Sequence, residues 1–185
     1  MKKLIITIIA VIIATSLATT AFCDLAIGSN APDFSLPTTT GERFLLSDTL
    51  KGSSNVVVIS VWATWCPHCV DEVPYLSNLD KNYKDKNVKV LGISIDSTKN
   101  DVLKFIKQKN LKYTVALDPD GNKIGDPYKI EGIPTTYILD KSGKIRYATS
   151  GFSNIKSEQI ADMKKIENVI QDILKEYAPP VKAPE

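Results

Sequence analysis

The stretch Asn55–Cys69, "NVVVISVWATWCPHC", decides the reading of this chain. Residues 55–62 form an unbroken apolar, β-branched run bounded on its N-terminal side by the turn residues of "LKGSSN". Such a run is what a strand buried on both faces of a parallel sheet requires. It leads directly into two cysteines separated by Pro67 and His68, the latter the only histidine in the chain. From Pro67 to about Tyr83 the pattern becomes helical, with Val70, Val73, Leu76 and Leu79 three residues apart. Pro67 suits a first helical turn, whereas Pro74 lies inside the helix and should kink it.

Outward from this unit the elements alternate. "APDFSLPTTTGERFLLSD" (31–48) reads as two short strands around a polar turn, and "VKVLGISID" (88–96) as a second buried strand. An amphipathic helix is expected over Asp101–Lys109, followed by the short strand "YTVAL". Asp118-Pro119-Asp120-Gly121 is a turn in which glycine takes a positive-φ corner. "TTYILD" and "KIRYATSG" flank Lys141-Ser142-Gly143 as an antiparallel hairpin, and a long amphipathic helix over about 154–177 repeats Ile160, Met163, Ile166, Ile170, Ile173 and Leu174. The order predicts an α/β fold with a mixed central sheet, parallel and antiparallel, flanked by helices.

Composition sets the outer limits. The 185 residues are 43% hydrophobic and 24% charged, with a formal net charge of +2 and no block of like charges, so nothing marks a nucleic-acid surface. Met1-Lys2-Lys3 followed by "LIITIIAVIIATSLATTAF" reads as a signal peptide or an uncleaved N-terminal membrane anchor over 1–23. The expected organisation is therefore an exported domain over 24–177 and a flexible tail over 178–185, with the membrane touched only through the N-terminal segment. Cys23 follows Phe22, with Thr20 at the −3 place, which does not fit a lipidation signal.

What remains is one isolated Cys-x-x-Cys. A two-residue spacer is a poor structural staple, because cross-linking a short loop removes little chain entropy. A closed zinc site needs four ligands, and no second Cys or His pair is available, so no metal is expected. A redox pair fits. Cys66 at a helix N-terminus has its thiolate stabilised by unpaired N–H groups and the helix dipole, while Cys69, one turn on, can resolve a mixed disulfide. His68 beside the thiolate would lower its pKa further and favour the reduced form, unless it is a plain exposed helix-start residue.

"VVVISVWATWCPHCVDEVP", "VKVLGISID", "DPDG" and "GIPTTYILDKSG" together resemble the TlpA/ResA-like branch of the thioredoxin superfamily, over roughly residues 26–176. Peroxiredoxins share the N-terminal look, but the threonine they place three residues before the reactive cysteine falls on Ala63. The resemblance implies a thioredoxin fold to which this branch adds an N-terminal β-hairpin and an inserted strand and helix over 88–110, and a thiol-disulfide oxidoreductase without cofactor, acting on protein thiols and disulfides. It implies a cis peptide between Ile133 and Pro134, with Ile133, Pro134 and Thr135 docking a substrate strand, and Glu72 transferring the Cys69 proton. Trp65 and Pro67 would support the site, with Trp65 shielding the sulfurs and Trp62 part of the core. Ser60 stands where thioredoxins proper bury an aspartate, and Thr135 where cytochrome-maturation members often carry glutamate.

The family implies a reductant or isomerase recharged by a membrane redox partner of the DsbD/CcdA type; the leader places it in the bacterial periplasm or on the outer face of the cytoplasmic membrane, and a monomer is expected. The Pro67-His68 dipeptide is shared with DsbA-type oxidants and points the other way. A copper- or haem-delivery chaperone is the alternative from another class.

Overall fold

The computed structural model describes residues 25–178. The expected leader over 1–23 and nearly all of the expected tail lie outside the described residues, and among these no helix is long and apolar enough to cross a membrane. The strand over 55–62 is β3 (Val56–Trp62), and every one of its residues is buried. It pairs in parallel with β4 (Val88–Ser94), which pairs in parallel with β5 (Thr114–Leu117). On its other side β3 pairs antiparallel with β6 (Thr135–Asp140), and β6 with β7 (Ile145–Ser150). The sheet order is β5-β4-β3-β6-β7. Covered on both faces, the central strands need apolar side chains at successive positions, and this explains the unbroken hydrophobic runs.

Side chains alternate between the faces of the sheet. Val56, Val58 and Trp62 of β3 meet the helices, whereas Val57, Ile59 and Val61 meet the hairpin side. The helical face carries α2 (Pro67–Tyr83), α3 (Lys99–Lys109) and α4 (Lys156–Glu176). Trp62 is core, its ring 5.4 Å from that of Phe105. The other face is covered by the hairpin β1 (Ser35–Pro37) and β2 (Arg43–Leu45), and by Ile124 and Tyr128 from the segment after β5. The N-terminal segment spans that face: Ala31 N–H reaches the Gly143 carbonyl at one edge, and Thr39 N–H reaches the Val115 carbonyl at the other.

Several local expectations are corrected. Residues 46–51 form a short helix, α1, rather than strand end and loop; six residues are too few to show a helical period. The Asp33 carboxylate accepts the Ser47 N–H at its start. Asp120 shares the positive-φ corner with Gly121. As expected, Pro74 lies inside helix α2, where it leaves the Val70 carbonyl without its i+4 donor. In α4, Ile160 is 54% exposed while Gln159 is buried. At about 100° per residue, Gln159 falls at the centre of the Met163–Ile166–Ile170–Ile173 stripe and Ile160 about a quarter turn away.

Candidate active site

The site forms where β3 ends. Residues 63–65 lead from the sheet to Cys66, which stands at the N-cap of α2 in extended conformation with Pro67 as the first helical residue. A proline there forfeits no helical hydrogen bond, because the first N–H groups of a helix have no internal acceptor. Cys66 and Cys69 are joined in a disulfide with their Cα atoms 5.2 Å apart. Cys66 Sγ accepts the Cys69 N–H at 3.2 Å and is, among the described residues, given no other donor. Cys69 is fully buried and Cys66 5% exposed. Pro67 and His68 lie at the surface, and Trp65 is 67% exposed, directly beside the cysteine with the greater access.

The loop before β6 faces the disulfide. The Ile133–Pro134 peptide is cis, and the Ile133 carbonyl oxygen lies 3.7 Å from Cys66 Sγ. In the disulfide Sγ carries no hydrogen, so this is a contact; a reduced Cys66 thiol could donate across it. The loop is held on its far side by the Gly151 N–H, which donates to the Pro134 carbonyl at 2.7 Å. The Thr135 hydroxyl donates to the Gly132 carbonyl at 2.6 Å and lies 3.2 Å from the Ser150 hydroxyl. Thr135 is thus occupied in fastening the loop.

Glu72, one turn beyond Cys69, points into the helical core and is 2% exposed. Its two oxygens accept the Ser60 hydroxyl at 2.8 Å and the Thr136 hydroxyl at 2.9 Å. Burial raises its pKa above the ordinary carboxyl value, and the two hydroxyls only partly offset this. Thr136 is the member of this group that sequence reasoning missed. Ser60 and Thr136 are directly opposite in the antiparallel pairing of β3 with β6, so both project onto the same face under α2. Only the strand register reveals that relation. Among the described residues no group of three or more His, Cys, Asp or Glu side chains is placed to hold a metal ion.

A dithiol–disulfide pair at a helix start, a carbonyl-lined loop beside the outer sulfur and a buried carboxyl behind the inner one make a site for thiol-disulfide exchange. Known proteins agree. Residues 27–148 match the family model described as AhpC/TSA family. A thiol-disulfide oxidoreductase ResA of Bacillus cereus is 38% identical over 121 residues, covering 65% of this chain and 68% of the relative. A second ResA, from Bacillus thuringiensis subsp. konkukian, is 33% identical over 155 residues, 84% of this chain and 80% of the relative. The crystal structure of a Chlorobium tepidum protein provisionally described as thiol:disulfide interchange protein DsbE superposes with a TM-score of 0.71 at 33% identity. That match covers 82% of this chain and 99% of the other.

Proposed function

The chain belongs to the AhpC/TSA family and is a thiol-disulfide oxidoreductase of the TlpA/ResA type with a thioredoxin fold, and on that premise we propose that it reduces or isomerises protein disulfides outside the cytoplasm. The reduced Cys66 thiolate attacks a partner disulfide and releases one partner thiolate, leaving a mixed disulfide. Cys69 gives its proton to Glu72 and attacks Cys66 Sγ, which expels the second partner sulfur as a thiolate and closes the Cys66–Cys69 bond. Two electrons pass from the dithiol to the partner. The main chain at Ile133, Pro134 and Thr135 docks the partner beside Cys66, and Trp65, Pro67 and His68 border the same opening.

The observation that carries the direction is what surrounds Cys66 Sγ. It accepts a single N–H, from Cys69, while a carbonyl oxygen faces it at 3.7 Å. An acceptor turned toward the sulfur disfavours the thiolate, and a thiolate with little stabilisation makes the dithiol a good reductant. His68, the residue that would tip the balance toward oxidant behaviour, lies exposed. The raised pKa of Glu72 suits it to receive the Cys69 proton.

Export rests on residues 1–23, read as a signal peptide or anchor ahead of a domain over 24–177. A dithiol working there is spent at each turnover, so a membrane donor of the DsbD/CcdA type recharges it, and the protein acts as a monomer. The test is Cys69→Ser: this variant should accumulate a mixed disulfide through Cys66 with a disulfide-bonded peptide, whereas Cys66→Ser should trap nothing. Trapping by Cys66→Ser in place of Cys69→Ser would overturn the assignment.

A further inference from the structure

The loop that delivers Cys66 is tied down by a carboxylate that the exchange steps do not use. β3 and β4 run parallel with Trp62 beside Ser94, and the ladder continues past them as the Ile95 N–H donates to the Trp62 carbonyl at 3.0 Å. Two residues further along the same register Thr64 meets Asp96, the last residue of "VKVLGISID". Asp96 is 5% exposed, and three donors converge on it. The Thr64 hydroxyl reaches Oδ1 at 2.5 Å, the Thr64 N–H lies 3.0 Å from Oδ2 and 3.2 Å from Oδ1, and the Ser94 hydroxyl reaches Oδ2 at 2.7 Å. The Asp96 N–H donates back to Ser94 Oγ at 3.1 Å, which fixes the carboxylate in turn.

This grip falls between two core residues, Ala63 and Cys66, on a pair with little apolar anchorage. Thr64 is half-buried and Trp65 largely exposed, so packing holds neither firmly. The Cys66 N–H donates to the Ala63 carbonyl at 3.2 Å, closing a turn with Thr64 inside it. That turn sets Cys66 in the N-cap position that points its sulfur at the Cys69 N–H. A buried carboxylate is costly to keep unless its partners need it, and here two of its three donors belong to one residue of the turn.

We propose that Asp96 is a positioning residue for thiol-disulfide exchange: through Thr64 it holds the 63–66 turn so that Cys66 Sγ stays on the Cys69 N–H and beside the Ile133 carbonyl. The inference rests on the reading of Cys66 as the attacking thiol. The disulfide requires Cys66 to be held against Cys69, whereas the dithiol tolerates their separation, so the grip and the disulfide support one another. Loosening the grip therefore weakens the oxidised state more than the reduced one. Attack slows, and the equilibrium of the protein disulfide plus two glutathione thiols with the protein dithiol plus oxidised glutathione moves toward the protein dithiol.

The experiment uses the full chain and compares Thr64→Val, Thr64→Ser, Asp96→Asn and Cys66→Ser. The readouts are single-turnover reduction of a disulfide-bonded peptide, the equilibrium constant with glutathione and the urea midpoint. Thr64→Val, which deletes the hydroxyl bond, should reduce the peptide about tenfold more slowly, equivalent to about 1.4 kcal/mol. Its glutathione equilibrium should shift about threefold toward the dithiol, in keeping with the loss of one charge-assisted hydrogen bond. Thr64→Ser restores the hydroxyl and should return both to within about twofold of the parent, and Asp96→Asn should exceed Thr64→Val. Should Asp96→Asn fail to fold, the valine–serine pair decides alone. A Thr64→Val protein with a lower urea midpoint but unchanged rate and equilibrium would make the clasp merely structural and overturn the proposal. If that result comes with an inactive Cys66→Ser, the functional reading stands; an active Cys66→Ser overturns both.

Discussion

Two carboxyl groups of this molecule are both closed off from solvent and behave in opposite ways. Glu72 is 2% exposed and Asp140 3%. Burial works against the charge of each, yet Glu72 ends above its ordinary pKa and Asp140 below. Glu72 has only the hydroxyls of Ser60 and Thr136 to offset desolvation. Asp140, at the end of β6, has the Ser142 hydroxyl at 2.6 Å, the Ser142 and Lys144 N–H groups at 2.9 and 3.1 Å, and the Arg146 guanidinium at 3.2 Å. Partner number and charge, together with the deeper burial of Glu72, separate a carboxyl that can change its protonation from one that cannot. The first sits behind the redox pair. The second locks the β6–β7 turn and, through Arg146 and Glu176, ties α4 to the sheet edge.

The largest effect should come from breaking the lock. Asp140→Ala removes the acceptor of four hydrogen bonds and should cost about 2–4 kcal/mol in urea unfolding, with exchange by the folded protein unchanged. Glu72→Gln should do the reverse: resolution of the mixed disulfide slows at least about tenfold, about 1.4 kcal/mol in barrier, while the fold survives. Quenched-flow trapping of the mixed disulfide reads this directly.

The pH dependence of stability sharpens the contrast. Glu72 has a raised pKa, so the native state holds its proton longer than the unfolded chain. Its contribution to stability therefore falls as pH rises from the unfolded value through the native one. Asp140 has a lowered pKa, so its contribution is present above the unfolded value and is lost as pH falls through the native one. Unfolding midpoints measured across pH should show Glu72→Gln removing a loss on the rising side and Asp140→Asn removing a loss on the acid side. The same sign for both variants would refute the comparison. Smaller still, Glu176→Gln should lower the midpoint slightly at low salt and have no effect near 1 M salt, where the Debye length is about 3 Å. Ile160→Gln, on the exposed face of α4, should stay within about 0.5 kcal/mol.

The same contrast explains what could be read before the structure. The unit 55–83 was legible because a buried parallel strand and an amphipathic helix leave different periods, with Pro67 marking the change. The hairpin around Lys141-Ser142-Gly143 carried its own turn chemistry. Residues 46–51 were too short to print a period, and Ile160 misled because a hydrophobic residue a quarter turn off the stripe still looks periodic. The Ile133–Pro134 isomer followed from family resemblance, since an X-Pro bond alone favours trans. Thr136, Thr64 and Asp96 were invisible for a common reason. Each acquires its partner through strand register, β3 with β6 or β3 with β4, and register is a property of pairing rather than of any single segment.

The central claim is that this site gives electrons rather than takes them, and the equilibrium reduction potential of the Cys66–Cys69 couple in glutathione buffers tests it most directly. The account predicts a value at or below about −200 mV, toward the roughly −270 mV of thioredoxin. A value near the roughly −120 mV of DsbA would contradict it and make the protein an oxidant.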